Sequence, residues 1–200
     1  MPLITKLEVQ KNNENRANLY LDDKFFSGVS IELCVKHHLK KGVEIDESEL
    51  SEIILQDEKN IALSKALKYI SGNLKTTKQI RDYLYKKEYA KPTIDYVISK
   101  MEEYKYLDDE AYANAFVLTY SNKYGKLKLK TMLKSKGVGN DILDNLFEEV
   151  EISSSIDAVA SKYMKNKTLD DKTKTKLIRF LISRGYDYDE VKSCVEKMRG

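Results

Sequence analysis

Tryptophan is absent from this 200-residue chain, proline, cysteine and histidine occur twice each, and glycine eight times. So few helix breakers suit soluble helices far better than disorder or a β-sandwich. The histidines, His37 and His38, are adjacent. Neighbouring residues on a helix point about 100° apart, so the pair cannot readily share a metal ion and reads as a solvated helix end. Cys34 and Cys194 lie far apart with aliphatic neighbours and no CxxC spacing, which predicts buried, reduced thiols. No apolar run approaches the roughly 18 residues of a membrane span, and Met1-Pro2-Leu3-Ile4-Thr5-Lys6 lacks an apolar signal region, so a cytoplasmic protein without membrane contact is expected. A P-loop, a paired-glycine dinucleotide fingerprint, HExxH and GxSxG are all missing. The expectation is a non-enzyme with no catalytic, cofactor or metal site.

What the chain does have is charge, periodicity and tyrosine. Charged residues make up 34% and hydrophobic residues 42%, with a net charge of +3. The charge is unevenly spread. Residues 1–57 hold 7 basic and 11 acidic side chains, residues 58–150 hold 17 and 13, and residues 151–200 hold 11 and 8. The basic excess therefore belongs to the later part of the chain, where one pattern recurs about every 48 residues. Its first copy reads Ile80, Leu84, Lys87-Glu88-Tyr89, then Ile94, Val97, Ile98, Met101. The second reads Leu129, Leu133, Lys136-Gly137-Val138, then Leu143, Leu146, Phe147, Val150. The third reads Leu177, Leu181, Arg184-Gly185-Tyr186, then Val191, Cys194, Val195, Met198. Each copy predicts a helix, a tight turn and a second helix with the same apolar stripe. A further helix precedes each pair, carrying Ile61 to Ile70, Tyr112 to Thr119 and Ile156 to Tyr163. A repeat of this length signals stacked supersecondary units that present an extended surface.

The first thirty residues differ. Leu7 and Val9 alternate with polar neighbours, and two turn-forming clusters, Lys11 to Asn15 and Asp22-Asp23-Lys24, bracket Asn18-Leu19-Tyr20-Leu21. This predicts a three-stranded antiparallel meander ended by Gly28. A short helix stopped by Gly42 and another from Asp46 to Gln56 are the nearest cover for its apolar face. The fold class is thus mainly α: a small β-meander with short helices over residues 1–57, then three-helix repeats over 58–107, 108–152 and 153–200, with Ser153-Ser154-Ser155 as the clearest link. The acid pairs Asp22-Asp23, Glu102-Glu103, Asp108-Asp109 and Asp170-Asp171 are expected at turns and helix starts, where they complement the helix dipole.

From Ala111 to Asn140 there is no acidic residue, while Lys123, Lys126, Lys128, Lys130, Lys134 and Lys136 accumulate. Lys123, Lys126, Lys130 and Lys134 share one helical face, close to Tyr120 and Tyr124, and Lys128 projects away from it. A second acid-free stretch, Lys172 to Tyr186, contains Lys174, Lys176, Arg179 and Arg184, and a third runs from Lys59 to Arg81. Such faces can follow a phosphate backbone, and tyrosines among them can stack on bases. A solvated lysine face, with the tyrosines turned into the core, is the alternative that remains open. The predominance of Lys over Arg favours delocalised charge over readout of particular bases.

Tyr106-Leu107-Asp108-Asp109-Glu110, followed by Tyr112-Ala113, resembles the "YLDDxxYA" junction of the RecX proteins, bacterial modulators of the RecA recombinase. Lys134-Ser135-Lys136-Gly137-Val138 with Ile142, and Arg179 through Tyr186, resemble that family's "LxxKG[IV]" and "FLxRRGF" segments. Ile4 to Gln10 and Tyr20 to Phe25 are similar to the N-terminal extension of members from low-GC Gram-positive bacteria. Two positions depart from the pattern: Glu88 replaces the turn glycine, which predicts a differently shaped turn, and Ser183 replaces a basic residue. The resemblance implies a curved, elongated array of three-helix repeats. It also implies a monomeric, cofactor-free protein that lies in the groove of the RecA–single-stranded-DNA filament and restrains ATP hydrolysis and strand exchange. The residues alone leave two other readings open, a general single-stranded nucleic-acid-binding protein and a helical adaptor.

An elongated array is directly measurable. A compact 200-residue domain would have a radius of gyration of about 16–17 Å. Small-angle scattering is expected to give more than about 20 Å, and a value in the compact range would refute the elongated array.

Overall fold

A computed structural model describes residues 1–149 and 156–198. Val150 of the second apolar stripe, the Ser153-Ser154-Ser155 link and the division between 152 and 153 lie outside the described residues. The described chain forms two compact units, residues 1–71 with 84–100, and residues 72–83 with 101–200.

In the first unit, β1 (Ile4–Gln10), β2 (Asn13–Leu21) and β3 (Lys24–Ser30) form the antiparallel sheet in the order β1-β2-β3. Asp22 and Asp23, at φ 45° and 63°, make the two-residue turn between β2 and β3, the left-handed geometry that matches strand twist. Gly28 does not end the sheet. It lies inside β3 opposite Asn18, and its carbonyl accepts a 2.7 Å hydrogen bond from the Arg16 guanidinium. Ser30 caps α1 (Ile31–Lys36), its hydroxyl accepting from the Leu33 amide. That helix stops six residues short of Gly42, because His38 already takes a left-handed backbone at φ 53°. His37 and His38 are exposed.

The expected helix after Asp46 and the Ile61–Ile70 stripe are one continuous helix, α2 (Glu47–Ile70). The 57/58 division therefore falls inside a helix, since no breaker separates the two segments. Leu50 is buried with Ile4, Leu19, Leu21, Val29 and Leu33, so α1 and the start of α2 cover the sheet as expected. Further along α2, Lys59 and Lys65 lie over the rings of Tyr96 and Tyr89, and Glu58 accepts from the buried Thr93 hydroxyl at 3.0 Å. Two lysines of the third acid-free stretch thus serve packing.

The remaining helices are α3 (Thr77–Tyr85), α4 (Lys91–Glu103), α5 (Asp109–Tyr120), α6 (Lys126–Ser135), α7 (Asn140–Glu149), α8 (Ile156–Met164), α9 (Asp171–Ser183) and α10 (Tyr188–Lys197). At 9–13 residues each spans about two and a half to three and a half turns. Asp108 and Asp170 cap α5 and α9, accepting from the amides of Ala111 and Thr173. Hydrogen bonds from Thr173 hold the Asp170 carboxyl below its usual range. Glu102 and Glu103 differ from expectation, since they fall at the C-terminal end of α4. The repeat positions Ile80, Leu84, Leu129, Leu133, Leu177 and Leu181 are all fully buried. Both cysteines are buried free thiols, and burial first, then Asp157, pushes Cys194 up to about 11.

The turn after α3 has the same shape as those after α6 and α9, contrary to the expectation from Glu88. Glu88, Gly137 and Gly185 stand at φ 63°, 93° and 88°. In each turn the amide one residue on bonds back five residues: Tyr89 to Leu84 at 3.3 Å, Val138 to Leu133 at 3.2 Å, and Tyr186 to Leu181 at 3.3 Å. This is the Schellman helix end. Glycine is required in the second and third turns for a different reason, namely close approach. A methyl group on Gly137 would overlap the Lys78 side chain, and one on Gly185 would overlap the Lys128 backbone and Cβ.

Replacing Leu133 or Leu181 by Ala is expected to cost roughly 2–5 kcal/mol in urea unfolding. A neutral result would break the alignment of the repeats. Gly185→Ala should cost roughly 2–4 kcal/mol, combining left-handed strain with overpacking. Glu88→Gly should be neutral or stabilising by up to about 1 kcal/mol, because it relieves the strain alone. Equal losses at both turns would contradict the close-approach account.

Candidate nucleic-acid interface

Gly125 begins the site. As the N-cap of α6 it has no side chain to cap with, and its amide donates at 2.9 Å to the Arg184 carbonyl. The Leu127 amide donates at 3.1 Å to the Gly185 carbonyl. Two of the amides that a helix start leaves unpaired thus meet two of the carbonyls that a helix end leaves unpaired. Opposite ends of the two helix dipoles face each other there. The start of α3 docks on the turn after α6 with other groups: the Thr76 hydroxyl donates to the Lys136 carbonyl at 2.6 Å, and the Thr77 amide to Asp109 at 2.8 Å. Asp109 therefore joins two repeats, beyond the capping role expected of it.

These junctions set where the predicted basic residues fall. Lys126 donates to the Phe147 carbonyl at 2.6 Å and Lys130 pairs with Asp144 at 2.5 Å, so both side chains reach towards α7. These two share a face, but that face is tied to the neighbouring helix, and Lys123, expected on it, lies instead in the connection before α6. Lys123, Lys128 and Lys134 are exposed. Lys136 is half-buried, its ammonium 5.8 Å from the Phe116 ring. Lys176 and Arg179 are exposed on α9.

Tyr120 and Tyr124 are half-buried against the core of the middle repeat. They belong to a ladder of rings in which Tyr112, Phe116, Tyr120 and Tyr124 succeed one another with centroids 6.2, 4.5 and 6.4 Å apart. Arg184 carries the ladder across the junction, its guanidinium 5.3 Å from the Tyr124 ring and 5.0 Å from Phe180. Phe180 stacks on Tyr163 at 4.5 Å, and Lys167 lies 3.5 Å from the Tyr163 ring centre. Arg184 is thus brought beside Tyr124 and Lys123, some sixty residues away in sequence. Lys162, which no pattern in the sequence singles out, joins them from α8. Only the docking of two repeats could have revealed it.

Among the described residues no three His, Cys, Asp or Glu side chains are grouped to hold a metal ion, and no helix is long and apolar enough to cross a membrane. What the arrangement can do chemically is bind anions with lysine and arginine and pack flat groups against aromatic side chains.

Tandem three-helix repeats joined end to turn, with an N-terminal sheet, define a class of modular helical-repeat proteins. Comparison with known proteins makes the class specific. Models of the RecX N-terminal domain and of the first, second and third RecX three-helix domains match residues 2–46, 62–101, 108–145 and 151–195. The chain belongs to the RecX family. It is 39% identical to a regulatory protein RecX of Clostridium tetani, over 98% of this chain and 94% of that relative. It is 34% identical to one of Bacillus licheniformis, over 98% and 78%. A crystal structure of a regulatory protein RecX superposes with a TM-score of 0.68 at 25% identity, covering 98% of this chain and all of the other. Over 72% of this chain and 98% of the other, the fold is also that of RecX from Lactobacillus salivarius, with a TM-score of 0.64 at 22% identity.

Proposed function

We infer that this protein is a non-catalytic regulator that binds the RecA–single-stranded-DNA filament and restrains its ATP hydrolysis and strand exchange. The observation that carries the reading is the acid-free stretch from Ala111 to Asn140 in the middle repeat, whose exposed Lys123, Lys128 and Lys134 are joined by the exposed Lys176 and Arg179 of a repeat docked directly onto it. Cations spaced along joined helices suit a regular array of phosphates and need no enclosed pocket. Family membership supports the choice of partner. Lys126 and Lys130, engaged with α7, contribute field more than direct contact. The acidic N-terminal region is assigned to protein contact, where it avoids repulsion by phosphate.

A second reading, general binding of single-stranded nucleic acid, rests on the same cations and is separated by one titration. Binding to naked oligonucleotide and to pre-assembled filament is measured across a salt series. Preference for filament is expected, whereas equal affinity with a steep salt slope would favour the general binder. The double variant Lys128→Glu with Lys134→Glu should raise the concentration for half-inhibition of DNA-dependent ATP hydrolysis by about 3–10-fold, with helicity unchanged by circular dichroism. An unchanged inhibition curve would show that these lysines are only solvated.

A further inference from the structure

A cleft of about 330 Å³ opens where the third repeat docks on the second, and its lining differs from that of every other cleft described. Lys123 from the α5–α6 connection, Lys162 from α8 and Arg184 from the end of α9 converge on it, and Tyr163 and Phe180 form an aromatic wall. No acidic side chain lines it. By contrast, the cleft at the start of α10 is lined by Asp157, Asp187, Asp189 and Glu190, which would repel an anion. The cleft between α1 and α2 mixes Glu32 and Asp57 with its lysines.

We propose that this cleft is a subsite for a single nucleotide of single-stranded DNA, with the phosphate held by Lys123, Lys162 and Arg184 and the base packed against the edges of Tyr163 and Phe180, whose faces are engaged with each other, with Lys167 and with Arg184. The inference rests on the DNA-binding reading above and locates it at the repeat junction. Three arguments lead to it. Cations over an aromatic wall suit a ligand that is anionic at one end and flat and apolar at the other, and a nucleotide has both parts. The volume lies at the small end of ligand sites, enough for one such unit and too little for a larger cofactor. Arg184 is held at the cleft by its approach to the Tyr124 and Phe180 rings, at 5.3 and 5.0 Å, and its guanidinium carries five N–H donors with which to meet a phosphate.

A strand is favoured over a free nucleotide because the cations continue beyond the cleft. Lys123 leads within five residues to the exposed Lys128, and Arg179 lies five residues before Arg184, about 7.5 Å along α9. Flanking phosphates of a chain can use these positions. A mononucleotide cannot.

The test uses the full-length protein and a fluorescein-labelled oligothymidylate. Lys123 and Lys162 are both exposed, so Lys123→Glu with Lys162→Glu should leave the fold intact, as checked by circular dichroism. The double variant should bind about ten-fold more weakly, and the slope of log affinity against log salt should fall by about 1.4, or 0.7 for each lost phosphate contact on a single strand. In parallel, an oligonucleotide carrying 5-iodouracil is photocrosslinked to the unaltered protein, and the attachment is expected at Tyr163 or Phe180. Unchanged affinity and slope in the variant, or crosslinks confined to other aromatic residues, would overturn the subsite. Thymidine monophosphate is the competitor. Competition only far above the oligonucleotide's dissociation constant supports a strand subsite, and competition at a similar concentration makes it a free-nucleotide site instead. If the unaltered protein bound neither oligonucleotide nor filament, the DNA-binding reading would fall and the subsite with it. Normal binding by both proteins would remove the subsite alone.

Discussion

The start of one repeat's middle helix resting on the turn that ends the next repeat's middle helix is the contact on which the rest of this protein depends. At the junction of α6 with α9 it is made by backbone alone, the Gly125 and Leu127 amides donating to the Arg184 and Gly185 carbonyls. At the junction of α3 with α6 a threonine hydroxyl and an aspartate take over, but the Lys136 carbonyl accepts at the corresponding place. Helix ends must satisfy their orphan groups somewhere, and here each end does so on its neighbour. Backbone contact requires backbone approach, which is why the turn residue facing a neighbour is glycine.

This constraint also explains the one repeat that lacks the glycine. Glu88 adopts the left-handed conformation and closes the same hydrogen-bonded turn as Gly137 and Gly185. A side chain at that φ costs on the order of 1–2 kcal/mol, an amount a packed helix pair can absorb. An overlap with a neighbour's Cβ, as at Gly137, or with its backbone as well, as at Gly185, has no comparable relief. Position in the array, and not the turn itself, separates the glutamate from the glycines.

The same docking gives the basic residues their different roles. Lys126 and Lys130 lie towards α7 because α6 packs beside it, whereas Lys123, Lys128 and Lys134 extend into solvent. Arg184 is drawn into a run of aromatic rings that begins with Tyr112 in one repeat and ends with Tyr163 in the next. A guanidinium tolerates this because it is flat and weakly hydrated, and it can stack while still donating from its edge. Lysine at the same place would offer a point charge and no surface.

Much of the fold was legible in the chain because it is local. Apolar spacing at helical period identified Leu133 and Leu181 as core positions, and strand alternation with Asn and Asp turns identified the meander. Element ends were read less well where no breaker marks them, as in the uninterrupted α2. The general basic character of the middle repeat was also present in the sequence, since composition needs no coordinates. Which lysines stay exposed, that Arg184 stands against Tyr124, and that Lys162 joins Lys123 at a cleft were decided by tertiary structure alone. Periodicity records what each residue does within its own helix, and it carries no account of which helix end meets which turn.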